Sequence, residues 1–146
     1  MYLDSPYIAK YYVNEPDAAA VRKLIRRASF VCSCSWALVE VTCVFHRHVR
    51  EGALTPAQGR ELTDVFRRHV ESDLWNLIPM SGALLRRTAT LIRGVPAGVA
   101  LRAGDAVHLA SALETGEAEM WTNDRHLLAA ATHFGITARS VLTPRR

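Results

Sequence analysis

No stretch of the 146-residue chain approaches the run of about 18 uninterrupted apolar residues that a membrane helix needs, which speaks against a membrane span. Nor does the opening Met1-Tyr2-Leu3-Asp4 resemble the charged start and apolar core of a secretion signal, so a cytoplasmic protein is expected. Cysteine is scarce: Cys32, Cys34 and Cys43 are odd in number and crowded into one third of the chain. That is a poor disulfide framework and fits a reducing compartment. Lysine is nearly missing, since all but Lys10 and Lys23 of the 18 basic residues are arginine. Internal repeats and low-complexity tracts are absent too. What is present, 49% apolar and 22% charged residues, is ordinary globular composition, and the length suits a single domain over residues 1–146.

The most informative stretch is Leu101-Arg-Ala-Gly-Asp-Ala-Val-His-Leu-Ala110. Its small and apolar residues predict a largely buried helix, yet Asp105 falls in the first turn. Free N–H groups and the helix dipole favour a carboxylate there, but burying its charge costs several kcal/mol or more unless a cation answers it. Three more acids stand in similar places: Asp4 after Tyr2-Leu3, Glu40 within Trp36-Ala-Leu-Val-Glu-Val-Thr-Cys-Val-Phe45, and Asp124 after Trp121-Thr122-Asn123. Removing these four from the formal net charge of +4 leaves the rest of the chain at +8. An acidic pocket in an arginine-rich surround suits a polyanion bound through its phosphates, with a divalent metal between protein and substrate.

In chain order, Met1 to Asp4 predicts a short strand, and Ser5 caps a helix with Pro6 at its first position. Asp17 is expected to cap a second helix, from Ala18 to about Arg27. Phe30 to Ser33 reads as a strand, after which Ser35 caps a long helix to Glu51, closed by Gly52, with Glu40 one to two turns in. Thr55-Pro56-Ala57-Gln58 carries a capping box and opens a helix to about Glu71. Leu74 to Pro79 is a third strand and Ser81 to Arg93 a helix. Beyond the break at Gly94 to Gly98 lie the Asp105 helix, ended by Gly116, and a strand from Ala118 to Thr122. Asp124 opens a helix over 125–134, Thr137 to Leu142 forms a last strand, and Pro144-Arg145-Arg146 is expected to fray. Strands separated by helices demand crossovers, hence an α/β fold: a mainly parallel sheet with helices on both faces.

In such a sheet, ligands bind outside the carboxyl ends of the strands. Asp4 and Asp124 are strand-end residues and Asp105 is a helix-start residue, so they are expected to meet, with the longer Glu40 side chain reaching the same edge. Oxygen donors without histidine or cysteine suit magnesium or manganese rather than zinc. Metal-assisted phosphodiester hydrolysis, with one or two ions, is the chemistry that follows.

Four segments in order, Tyr2-Leu-Asp4-Ser-Pro-Tyr-Ile-Ala-Lys-Tyr11, Ser35 to Glu40, Leu101 to Ala110 and Trp121-Thr-Asn-Asp124-Arg-His-Leu127, resemble the acidic motifs of PIN-domain ribonucleases. In length and order the chain is most similar to VapC-type toxins of bacterial toxin-antitoxin pairs. The resemblance implies a three-layer α/β/α PIN-like domain and a Mg2+- or Mn2+-dependent endoribonuclease that arrests translation by cutting a structured RNA. It also implies inhibition by a cognate antitoxin and a homodimer. Asp4, Glu40, Asp105 and Asp124 match the catalytic and metal-holding acids, and Ser5 and Thr122 match supporting hydroxyl positions. Pro6 departs from the family pattern, and Asn123 stands beside Asp124, so that either side chain can face the metal.

Blander readings attach to other residues. Cys32, Cys34, Cys43, His46 and His48 lack zinc spacing, and His108 reads as a packed histidine rather than a catalytic base. Arg47, Arg50, Arg67, Arg68, Arg86 and Arg87 are either RNA contacts or solvated helix faces. Trp36, Trp75 and Trp121 read as core or interface residues. The competing functions are a housekeeping PIN nuclease in RNA maturation and a non-catalytic module binding RNA or a partner. A phosphatase ranks lower, since Asp4-Ser5-Pro6 lacks a second aspartate two residues on.

Overall fold

A computed structural model describes residues 1–117 and 119–142. The fraying expected at Pro144-Arg145-Arg146 lies outside the described residues, as does Ala118 at the expected start of the fourth strand. Five short strands, β1 (Tyr2–Leu3), β2 (Cys32–Cys34), β3 (Asn76–Ile78), β4 (Glu119–Trp121) and β5 (Thr137–Arg139), pair in the order β3-β2-β1-β4-β5. Every pairing is parallel. Seven helices are seen among the described residues: α1 (Ser5–Tyr12), α2 (Ala18–Ile25), α3 (Ala37–Arg50), α4 (Pro56–Glu71), α5 (Gly82–Ile92), α6 (Ala103–Glu114) and α7 (Arg125–Ala130). The fold is the three-layer α/β/α arrangement.

Successive strand residues point to opposite faces, and the two cores divide accordingly. Leu3 joins Ile8, Val21, Val41, Phe45, Phe66 and Trp75 under α1 to α4. Tyr2 and Cys32 join Ala106, Leu109, Met120, Leu127 and Phe134 under α6 and α7. The α6 helix is apolar around most of its circumference because it lies against β2 on one side and α5 and α7 on others. The expected hairpin of α3 and α4 forms, and Gly59 is buried where a Cβ would sit 2.5 Å from a methyl of Val49.

The strand order reverses between β1 and β4. The chain moves outward from β1 to β2 and β3, then returns to lay β4 on the other side of β1. Loops leaving β1 and β4 therefore diverge and open a crevice beyond their carboxyl ends. Asp4 follows β1 directly, and Thr122-Asn123-Asp124 follows β4.

Four local expectations are corrected. Asp4, rather than Ser5, caps α1: its Oδ1 accepts from the Tyr7 backbone N–H at 2.9 Å, and Ser5 becomes the first helical residue. Ser35 does not cap α3, whose cap position is Trp36; its hydroxyl instead accepts from the Met80 N–H at 2.9 Å, tying β2 to the chain leaving β3. Glu40 consequently lies in the first turn of α3. Asp17 adopts a left-handed conformation, φ 68°, and makes no side-chain cap; its carboxylate lies 3.9 Å from the ammonium of Lys10. The last strand ends at Arg139 because Ser140 and Val141 turn inward to bond Asn123 and Tyr7.

Candidate active site

Asp4 is the most enclosed of the four acids, 1% exposed. One oxygen is held by the Tyr7 N–H and the other by the Thr122 hydroxyl. Burial raises its pKa to about 6, against the opposing pull of those hydrogen bonds and of the His108 and Lys10 charges. Thr122 is itself buried and links two acids, since its Oγ1 donates to Asp4 and accepts from the Asp124 N–H at 2.9 Å.

Asp124 caps α7, its Oδ1 accepting from the backbone of His126 at 2.6 Å and Leu127 at 3.3 Å. Its Oδ2 carries no hydrogen bond among the described residues. Asn123 is used differently: its Oδ1 accepts from the Tyr7 and Ser140 hydroxyls, each at 2.6 Å. The amide thus fastens the carboxyl end of β5 to α1, and the side chain left with a spare oxygen is the carboxylate of Asp124.

Asp105 occupies the third position of α6 and accepts from the Arg102 backbone N–H at 3.2 Å. Its pKa is raised, first by burial and then, against the Arg102 N–H, by the negative charge of Asp124. These two carboxylates therefore feel one another across the crevice.

Glu40 arrives from the β2 side. Its Oε2 accepts from the Ser5 hydroxyl at 2.6 Å and lies 2.8 Å from His108 Nε2. Burial pushes its pKa up, but the hydrogen bond and charge of His108, with the hydrogen bonds of Ser5 and Trp36, together outweigh burial and leave it lowered. Burial likewise opposes charge on His108, yet its bonds to Cys34 and Glu40 and their charges push it up to about 10. His108 is packed, as its sequence context indicates, but it also holds Glu40. The signal was its spacing, three residues after Asp105 on a helix, which places both on one face; its partner, 68 residues away, left none.

The acids are thus linked in a chain around the rim: Glu40 through Ser5 to the start of α1, Asp4 through Thr122 to Asp124, and Asp124 through its field to Asp105. Among the described residues, no three His, Cys, Asp or Glu side chains converge as a ready-made metal cage. The donor set nonetheless fits a hard divalent cation: carboxylates only, Asp4 buried with a raised pKa, and Asp105 raised by burial and then by the charge of Asp124.

Other candidates fall elsewhere. Cys32 and Cys34 are buried, Cys43 is exposed, and His48 bonds Glu15 at 2.9 Å, so no zinc set forms among the described residues. Trp75 is buried and donates to the Tyr12 hydroxyl at 2.5 Å, Trp121 packs on the α1 to α4 core, and Trp36 lies beside Gly104. Arg47, Arg50 and Arg87 face Glu15, Glu51 and Glu114, whereas Arg67, Arg68 and Arg86 extend into solvent.

A family model described as the PIN domain matches residues 1–132, and no curated relative matches the chain. The match spans all four acids and both faces of the sheet, in agreement with the crevice they line. The chain belongs to the PIN-domain family.

Proposed function

We propose that this protein is a Mg2+- or Mn2+-dependent endoribonuclease that hydrolyses RNA phosphodiester bonds, with Asp4, Glu40, Asp105 and Asp124 as its metal-holding and catalytic acids. The observation that carries the reading is the set of acids at the strand-order reversal, where burial and then the charge of Asp124 disfavour ionisation of Asp105, and Asp4 is buried and tied through Thr122 to Asp124. A divalent ion held there would offset that repulsion, attract a phosphate and lower the pKa of an attacking water. Asp4 must shed its proton to take part, and Thr122 and the Tyr7 N–H stabilise the carboxylate so formed. Asp124, fixed as a helix cap by one oxygen, offers the other to the crevice. Ser5 and His108 keep Glu40 turned toward the rim. Arg102 and Arg125, exposed and adjoining Asp105 and Asp124 in sequence, supply positive charge for the RNA backbone.

The toxin reading deepens this: a cytoplasmic VapC-type protein that arrests translation, is restrained by a cognate antitoxin and pairs as a homodimer. Its support is the four-motif resemblance in a chain of this length, together with the apolar residues Leu38, Val39, Leu85 and Ile92, 40 to 50% exposed on α3 and α5, which suit cover by a protein partner. No helix is long and apolar enough to cross a membrane among the described residues.

Total RNA incubated with purified protein and manganese tests the core of the proposal. Discrete fragments that vanish with EDTA and with Asp105→Asn are expected. Intact RNA, with folded protein and bound metal verified, would replace the nuclease with a binding module. Expression in a bacterial host is expected to arrest growth; cleavage without arrest would place the enzyme in RNA maturation.

A further inference from the structure

Beneath the acidic rim, the ring of His108 is engaged at both nitrogens. Nδ1 lies 3.0 Å from the Tyr2 hydroxyl and 3.8 Å from Cys34 Sγ, on the floor formed by β1 and β2. Nε2 lies 2.8 Å from Glu40 Oε2 and 3.1 Å from Ser5 Oγ, on the rim. The side chain is 3% exposed and meets the Tyr2 ring edge to face at 6.0 Å. An apolar side chain would fill that space without the desolvation an imidazole suffers, so its polar atoms need a reason beyond packing.

Glu40 supplies one. A glutamate one-third exposed at a helix start ordinarily samples many rotamers, yet here two donors converge on the same oxygen, Oε2. The other oxygen, Oε1, is turned toward α6, where a Cβ on residue 104 would sit 3.0 Å from it and 3.4 Å from the indole nitrogen of Trp36, a side chain that also hydrogen-bonds Glu40 and leaves Oε1 a further lone pair. A Cβ there would press the carboxylate aside by a few tenths of an ångström, against the tether that holds its other oxygen.

We propose that His108 is a positioning residue, fixing Glu40 by Oε2 from below so that Oε1, admitted by Gly104, is the single oxygen Glu40 offers a divalent cation. The inference rests on the metal-dependent reading for its consequence but not for the tether itself. In the metal-free protein, proton and nitrogen NMR should show an exchange-protected His108 Nε2–H that is lost in Glu40→Ala. Titration with Mn2+ then compares His108→Gln, whose amide reaches Glu40 as Nε2 does, with His108→Asn, which is too short. Asn is expected to weaken Mn2+ binding by roughly tenfold or more, the usual effect of losing an outer-shell partner, and Gln to restore most of it. In a Glu40→Gln background the two variants should bind alike. Gly104→Ala should weaken Mn2+ binding while preserving the fold and the His108 signal.

Equal affinities for His108→Asn and His108→Gln in the otherwise native protein, or unaltered affinity in Gly104→Ala, would overturn the proposal and return His108 to packing. A protected, Glu40-dependent Nε2–H in a wild-type protein that binds no Mn2+ would instead retain the tether and overturn the metal reading.

Discussion

At the scale of single residues, Asp4 makes the sharpest prediction. Its folded pKa of about 6 lies above the ordinary aspartate value of 3.8, so folding favours its protonated form. The associated stability is complete below pH 3.8 and is lost as pH rises through about 6, a span worth on the order of 3 kcal/mol. Thermal melts of metal-free protein should show this component, and Asp4→Asn, which keeps the capping oxygen, should abolish it. Mn2+ binding has the opposite sign: it needs the carboxylate, so it should release a proton between pH 4 and 6, measurable by calorimetry in two buffers of different ionisation enthalpy. Asp105→Asn should eliminate cleavage without lowering the melting temperature, because the charge it removes is one that burial and Asp124 already disfavour. Legibility at this scale was uneven. Asp4 and Asp105 stood out as charges in apolar surroundings, and Asp124 as a residue after a strand, but the partner of Glu40 did not, since nothing local to residue 40 encodes a histidine on another helix.

At the scale of elements, three helices present their starts to the crevice, and each is fastened by an acid that also belongs to the site. Capping and site chemistry are therefore coupled. Thr122→Val should strand an oxygen of Asp4 and the Asp124 N–H together, costing about 1–3 kcal/mol and several degrees of melting temperature. Asp124→Ala should cost about 1 kcal/mol for the lost cap as well as metal affinity, whereas Asp124→Asn should retain the cap and lose only the affinity. Helix starts were readable where the cap is purely local, as with Thr55-Pro56 and its capping box. They were misread at Ser5 and Ser35 because each hydroxyl is drawn to a distant partner, Glu40 and the Met80 N–H. A serine before a helical pattern announces a cap only when nothing else in the fold competes for it.

At the scale of the whole molecule, the parallel sheet with helices on both faces followed from the alternation of short apolar runs and helical periods, and the strand order explains why the acids gather at one edge. If the proposed substrate is RNA, the surplus positive charge outside the acids should make its binding salt-dependent: affinity is expected to fall steeply between about 50 and 200 mM salt, and charge-removing changes at Arg102 or Arg125 to flatten that slope in a filter-binding assay. The return of the chain to β1 after β3 has a further consequence, for the order of synthesis. Asp4 is made more than a hundred residues before the hydroxyl that grips it and the acid beyond it. A nascent or truncated chain ending before Thr122 has neither β4 beside β1 nor Asp124, so on the proposed nuclease reading it should neither hold Mn2+ nor cut RNA until both have been made.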